Sequence, residues 1–330
     1  MEKPYLLFLG DAADQLAAKT ATGIADWRPE WCVGQMRLPG CQADTGLADV
    51  SIAEAASRGA RTLVIGVVNS GGVMPASWSD SIAEALAAGL DVASGLHSRL
   101  ESFPAIRQAA ERHDRKLFDL RHGERTFGTA KGIRRSGKRL LTVGTDCSCG
   151  KKYTALAIER AMRERGMAAD FRATGQTGLF IAERGVAIDA VVADFISGAA
   201  EWLSPDNAAD HWDVIEGQGS LFHAAFAGVS LGLLHGSQPD ALVLCHEPTR
   251  RHMRGLPEAP IPDLDDCIRQ NLTHARLTNP DCRMLGVSIN TAALSPTEAD
   301  AYLAETEARL GLPCLDPMTG DPGRFLDQLA

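Results

Sequence analysis

One stretch, Leu140 to Thr154 (LLTVGTDCSCGKKYT), restricts the fold more than any other part of the chain. An apolar strand-like run enters a turn of small residues, then Gly150-Lys151, then a helical segment reaching Arg165. That order is the phosphate-loop arrangement: N–H groups at a helix N-terminus converge on one cavity, and a lysine adds charge. Gly144, Thr145, Asp146, Cys147, Ser148, Cys149, Gly150, Lys151 and Lys152 are the residues expected to hold phosphate. The match to G-x-x-x-x-G-K-[ST] is imperfect at both ends. Five residues rather than four separate the glycines, and Lys152 stands where a hydroxyl should hold Mg²⁺. Thr154 points about 200° away on an ideal helix and is a poor substitute.

A lysine cannot ligate a cation, but it can neutralise phosphate directly. The loop therefore favours a ligand held by charge without a metal. Coenzyme A fits: it carries a pyrophosphate and a 3′-phosphate, and its thioester needs no metal. Cys147-x-Cys149 inside the loop reads more simply as small residues in a tight turn than as a redox pair. The eight cysteines show neither a disulfide framework nor zinc spacing, so no metal site is expected and a reducing cytoplasm is the natural compartment.

Short apolar runs alternate with amphipathic stretches along the 330 residues, the pattern of parallel βα units. The expected class is α/β: a Rossmann-like N-terminal domain over 1–130, then a P-loop NTPase-like parallel-sheet domain over 131–330. In the first, Tyr5–Leu9, Thr62–Val68, Asp91–Ser94 and Lys116–Leu120 read as strands and Ser79–Ala88 as a helix. No G-x-G-x-x-G opens it, so a dinucleotide is not indicated. Gly71-Gly72 reads as a plain strand-to-helix turn, with a ligand-facing turn as the alternative. The polar, basic Thr129–Arg139 reads as a linker, its cations either solvated or leaning over phosphate. Beyond it, Phe171–Thr174, Ala190–Asp194, Trp212–Glu216, Ala241–Cys245 and Met284–Ile289 are expected strands, buried on both faces. Thr297–Leu310 is an expected closing helix stopped by Gly311.

The formal charge of −9 argues against a nucleic-acid surface as the main function. No apolar run approaches the ~20 residues of a bilayer span. The N-terminal MEKPYLLFLGDAAD breaks at Gly10-Asp11 and reads as a first strand rather than a signal segment. A small amino-acid substrate is the expected partner, and a homo-oligomer stays open.

Three motifs follow expected strands: Ala173–Gly178 (ATGQTG), Asp194–Glu201 (DFISGAAE) and Trp212–Ser220 (WDVIEGQGS). Ligands of open α/β sheets bind where the carboxyl ends of strands converge, so these loops and the phosphate loop are expected to share one crevice. They supply Asp194 and Glu216 as candidate catalytic carboxylates, and Gln176, Ser197 and Gln218 as candidate substrate contacts. Taken singly, Asp194 or Glu216 serves equally well as a helix cap or turn residue. In CHEPTRRH, Arg250 and Arg251 suit a bidentate grip on carboxylates, against the alternative of a basic surface turn. His223 and His235 lie in a segment of low charge and read as structural.

GTDCSCGKK resembles the GTD-x-x-x-GK loop of dethiobiotin synthetases, and IEGQGS resembles their acidic VEGAGG strand end. Those enzymes keep a threonine where this chain has Lys152. A closer resemblance covers nearly the whole chain. ATGQTG, AVVADFISGAAE, VIEGQGSLFH and LLHGSQPDALVLCHEP resemble motifs of a bacterial family long labelled a domain of unknown function. That family has a Rossmann-like N-terminal and a P-loop C-terminal domain. Its DgcN-type members are D-glutamate N-acetyltransferases that use acetyl-CoA in D-amino-acid catabolism. The resemblance implies that activity, and the D stereochemistry rests on it alone.

The expected reaction is direct attack of the amine on the thioester. Glu216 or Asp194 would accept the ammonium proton, and loop N–H groups or Lys151 would stabilise the oxyanion. A Cys149 acyl-enzyme is disfavoured because no paired base is visible. The rival readings are a Mg-ATP enzyme resembling dethiobiotin synthetase and a non-catalytic nucleotide-binding regulatory protein.

Overall fold

Residues 1–68, 74–123, 125–182 and 184–329 are described by the computed structural model. The chain forms two compact units: Met1–Arg125 with Leu179–Ile181, and Thr126–Gly178 with Ala182–Ala330. The Gly71-Gly72 turn lies outside the described residues.

The first unit is built on a five-stranded parallel sheet: β1 (Tyr5–Gly10), β2 (Cys32–Arg37), β3 (Thr62–Ile65), β4 (Asp91–Ser94) and β5 (Leu117–Asp119), in the order β2-β1-β3-β4-β5. Helices α1 (Lys19–Trp27), α2 (Ile52–Ser57), α3 (Ser79–Ala87) and α4 (Pro104–His113) connect the strands. All six residues of β1 are buried, as a strand covered on both faces requires. β2 was not foreseen from sequence. Its CVGQMR run is broken by a glycine and by Gln35, which is buried because its amide meets Asp44 and Thr45.

The second unit carries a six-stranded parallel sheet and a short antiparallel hairpin. Its sheet strands are β6 (Lys138–Gly144), β7 (Ala169–Arg172), β8 (Trp212–Ile215), β9 (Ala241–His246), β12 (Arg283–Ile289) and β13 (Cys314–Leu315). Their order is β13-β12-β9-β6-β8-β7, with β6 in the interior between β9 and β8. The hairpin, β10 (His252–Met253) and β11 (Leu256–Pro260), follows β9 directly. Helices α5 (Lys151–Glu164), α6 (Gln176–Ile181), α7 (Ile196–Leu203), α8 (Ala227–Ser237), α9 (Leu264–Ala275), α10 (Pro296–Leu310) and α11 (Gly323–Leu326) complete the chain. Leu141, Val143, Ile215, Leu242, Leu244, Val287 and Ile289 are among the sheet residues of one buried core. Each such side chain contributes roughly 1.5–3 kcal/mol on burial. The closing helix α10 ends as expected at left-handed Gly311, φ 64°, and opens on a Ser295–Glu298 capping box.

One expectation is corrected, and one alternative reading is set aside. Ala190–Asp194 is not a strand. It runs between 3₁₀ turns at Ile188–Ala190 and Ala193–Phe195, and Val192 is 66% exposed. A short apolar run does not specify a strand by itself, and this one finds no pairing partner among the described residues. The cations of Thr129–Arg139 do not lean over the phosphate loop. Arg134 pairs with Asp240, Arg135 donates to Gly236 O and Ser237 O, and Arg139 is buried at the opposite end of β6.

Candidate active site

Strand β6 delivers the loop at its carboxyl end, and α5 leaves it. Gly144 is the close-approach position, since a Cβ there would meet Cys149 Sγ at 2.7 Å and Lys151 Nζ at 2.9 Å. The turn then needs two left-handed residues, Ser148 at φ 52° and Gly150 at φ 107°. Gly150 is the N-cap of α5, and no side chain caps that helix. Its first-turn N–H groups are therefore available to an anion. Lys151 is buried, with Nζ donating to Asp146 O at 2.6 Å and lying 3.6 Å from Cys149 Sγ. Cys149 Sγ is in turn 3.1 Å from Asp146 O and 3.3 Å from Cys245 O. Thr154 turns away from the loop, donating to Gly150 O and meeting Ser288 Oγ at 2.7 Å.

Asp146 is the loop's internal anchor. Fully buried, it accepts from Cys147 N at 2.6 Å, Arg250 Nη1 at 2.6 Å and Arg254 N at 2.9 Å. Burial alone would raise its pKa, but the Arg250 bond and the two N–H donors outweigh that and hold it below the ordinary value. Arg250 also donates to Cys147 O at 2.6 Å, Ser148 O at 3.3 Å and Glu247 Oε2 at 2.9 Å. Its fork therefore fastens the loop instead of facing outward. Arg251 is exposed.

A second anchor was not foreseen. Thr145 Oγ1 lies 3.1 Å from His246 Nδ1, and His246 Nε2 lies 3.1 Å from Tyr302 OH. Burial pushes the His246 pKa down to about 4, so a neutral ring links two hydroxyls near pH 7. Only the three-dimensional adjacency of β6, β9 and α10 makes this chain legible.

The ends of β7 and β8 meet beside the loop. Glu216 is buried, and its Oε2 accepts from both Thr174 N and Gly175 N at 3.0 Å. Thr174 Oγ1 returns a bond to Glu216 O at 2.6 Å and receives one from Gln218 Nε2 at 3.2 Å. Burial raises the Glu216 pKa against the two N–H groups and the charges of Lys152 and Lys151. This carboxyl thus binds its proton more readily than an ordinary one, a property suited to a general base. Gln176 heads α6 immediately after Gly175. The structure thereby brings Glu216, Gln218, Lys151 and the Thr174–Gly175 turn into one cluster.

Asp194 is not at a strand end. It is exposed in the 3₁₀ turn before α7. Ser197 lies in the first turn of α7, with its hydroxyl donating to Gly232 O of α8. His223, buried as expected of a structural residue, donates from Nε2 to Arg254 O at 3.0 Å, while Nδ1 accepts from Ala225 N.

Asp146, Cys147 and His223 bring potential ligand atoms within 4.8 Å of one another. Each has other commitments: Asp146 is paired with Arg250, burial raises the Cys147 thiol, and the His223 ring nitrogens are bonded to Arg254 O and Ala225 N. Magnesium fits the loop no better: Lys152 occupies the hydroxyl position, and the buried carboxylate nearby, Glu216, is bonded to two N–H groups.

Residues 126–326 match the P-loop domain of a family described as a domain of unknown function, DUF1611, and residues 36–123 match its Rossmann-like N-terminal domain. The chain belongs to the DUF1611 family. A curated relative from Tritonibacter scottomollicae, named D-glutamate N-acetyltransferase, is 53% identical over 330 residues, covering 100% of this chain and 99% of the relative. A second of the same name, from a Pseudoalteromonas species, is 52% identical over 318 residues and 96% of each chain. A solved DUF1611 protein from Anabaena variabilis superposes with a TM-score of 0.88 at 30% identity over 99% of both chains. The two-unit α/β architecture is thus the family's own.

Proposed function

We propose that this DUF1611 protein is a D-glutamate N-acetyltransferase that draws its acetyl group from acetyl-CoA. The observation that carries this reading is the identity above one half to two relatives of that name, along essentially their full length. The lysine at the magnesium-ligand position supports the choice of donor, because a thioester reacts without a metal. The same reading places the enzyme in D-amino-acid catabolism in the cytoplasm.

In the proposed reaction the ammonium of D-glutamate loses a proton, and the free amine attacks the thioester carbonyl. A C–N bond forms, the C–S bond breaks, and coenzyme A leaves as its thiol. The net products are N-acetyl-D-glutamate, coenzyme A and one proton. Glu216 is the proposed proton acceptor, since it combines burial, raised proton affinity and two N–H groups that fix its geometry. Lys151 and the first-turn N–H groups of α5 hold phosphate. Gln218, on the same strand end as Glu216, is positioned for substrate contact.

The test joins thiol release with calorimetry. D-Glutamate should release coenzyme A from acetyl-CoA where L-glutamate does not, with no requirement for Mg²⁺. Lys151→Ala should weaken coenzyme A binding about 10–100-fold, since a hydrogen bond to a charged group contributes ~1.5–3 kcal/mol. Unchanged affinity would remove the loop from the donor site. Mg²⁺-dependent ATP turnover indifferent to acetyl-CoA would replace the reading altogether.

A further inference from the structure

The β10–β11 turn makes three separate bonds around the phosphate loop, and all three involve Arg254. Its N–H donates to Asp146 Oδ2 at 2.9 Å, its carbonyl accepts from His223 Nε2 at 3.0 Å, and its Nη1 donates to Ser148 Oγ at 2.7 Å. The backbone bonds end on buried side chains, so the turn is fixed from inside the unit. The guanidinium, by contrast, lies at an exposed residue, and its Nε and Nη2 meet no acceptor among the described residues.

Ser148, which takes this contact, is the loop's left-handed non-glycine residue. A serine kept in that conformation places its hydroxyl against Arg254 while the N–H groups of α5 and Lys151 serve the loop's interior. Arg250, four residues earlier, is consumed by Asp146, Glu247 and two loop carbonyls. Arg254 is thus the arginine that is positioned on the loop and still holds open donors.

We propose that Arg254 is a phosphate-binding residue of the donor site, gripping a phosphoryl group of the acyl carrier at the loop's outer rim. The inference rests on the acetyl-CoA reading given above. An arginine fork matches a phosphoryl oxygen pair, and Nε with Nη2 is one of its bidentate edges. The carrier offers two anionic centres, the pyrophosphate and the 3′-phosphate. The chemistry at Arg254 is the same for both.

The experiment compares wild type, Arg254→Gln and Arg254→Lys by calorimetry with coenzyme A and dephospho-coenzyme A, and by steady-state kinetics with acetyl-CoA and D-glutamate. Side-chain replacement leaves the backbone bonds to Asp146 and His223 in place, and a thermal melt verifies folding. Should R254Q fold poorly, R254K, which keeps the charge but loses the fork, carries the comparison. Arg254→Gln is expected to raise Kd for coenzyme A and KM for acetyl-CoA about tenfold or more, with KM for D-glutamate and kcat within twofold. Arg254→Lys should fall between. A penalty confined to coenzyme A assigns the grip to the 3′-phosphate, and an equal penalty for the dephospho form assigns it to the pyrophosphate. Unchanged coenzyme A affinity in R254Q, with wild type binding normally, overturns the inference and leaves the donor reading standing. A raised KM for D-glutamate alone also overturns it. Failure of wild type to bind coenzyme A removes both.

Discussion

At the scale of single residues, Glu216 is held by two opposing demands. Two backbone N–H groups and two lysines favour its carboxylate, yet burial outweighs them and raises its pKa above the ordinary 4.5. A carboxyl whose folded pKa exceeds its unfolded one binds more protons in the folded state. Its effect on stability is absent below the unfolded value, and stability is lost as pH rises through the raised folded value. Glu216→Gln keeps an oxygen for Thr174 and Gly175 and removes the ionisation. We expect this variant to lose about 10²–10⁴-fold in kcat, the usual contribution of a general base. We also expect it to melt above wild type at pH 8, where the buried carboxylate is strained, with the gap closing as pH falls below the ordinary carboxylate value. Wild-type kcat/KM should rise with pH through a value above the normal carboxylate range. Equal melting temperatures at pH 8 would show that burial of the charge imposes no strain.

At the scale of elements, the site depends on how closely the strand ends approach. A Cβ on Gly178 of α6 would lie 2.4 Å from Glu216 Oε2 and 3.0 Å from Ala173 Cβ. Gly178→Ala should therefore push the Glu216 carboxyl from its two N–H donors, with kcat falling at least tenfold. The destabilisation should be about 1–3 kcal/mol, as for overpacking elsewhere. A denaturant titration beside the thiol-release assay checks both effects, and a fully active variant would detach Glu216 from the chemistry. The apolar runs that become β6, β8, β9 and β12 are legible in the sequence because strands covered on both faces are continuously hydrophobic. The phosphate loop is legible because its glycines and lysine are contiguous. What is not legible depends on neighbours distant in sequence. Val191–Ala193 has the composition of a strand and lacks a partner to pair with. Arg250 has the look of a substrate ligand until Asp146, 104 residues earlier, is seen to take it. Arg254 and His246 are not legible because their partners, Ser148 and Thr145, lie 106 and 101 residues earlier in the sequence, on the loop after β6, and only the pairing of β6 with β9 brings them together.

At the scale of the whole molecule, the stretch between the two units behaves as part of the second. The units divide between Arg125 and Thr126, and the residues that follow pack onto α7. Phe127 meets the Trp202 ring at 5.7 Å, and a Cβ on Gly198 would strike Gly128 O. Glu201 then takes the N–H groups of Lys131 at 2.9 Å and Gly132 at 2.9 Å. A basic, glycine-containing sequence has the composition of a tether, but one carboxylate on a neighbouring helix changes its state. Local opening sets the rate at which a protease reaches such a segment. Glu201→Ala removes charge-assisted bonds while leaving the Phe127 contact, so opening should become easier by about 1–2 kcal/mol. Trypsin should then cut after Lys131 roughly tenfold faster than in wild type, with kcat preserved in the uncut enzyme. An unchanged cleavage rate would mean that the aromatic contact and the Gly128–Gly198 approach hold the segment without help from Glu201.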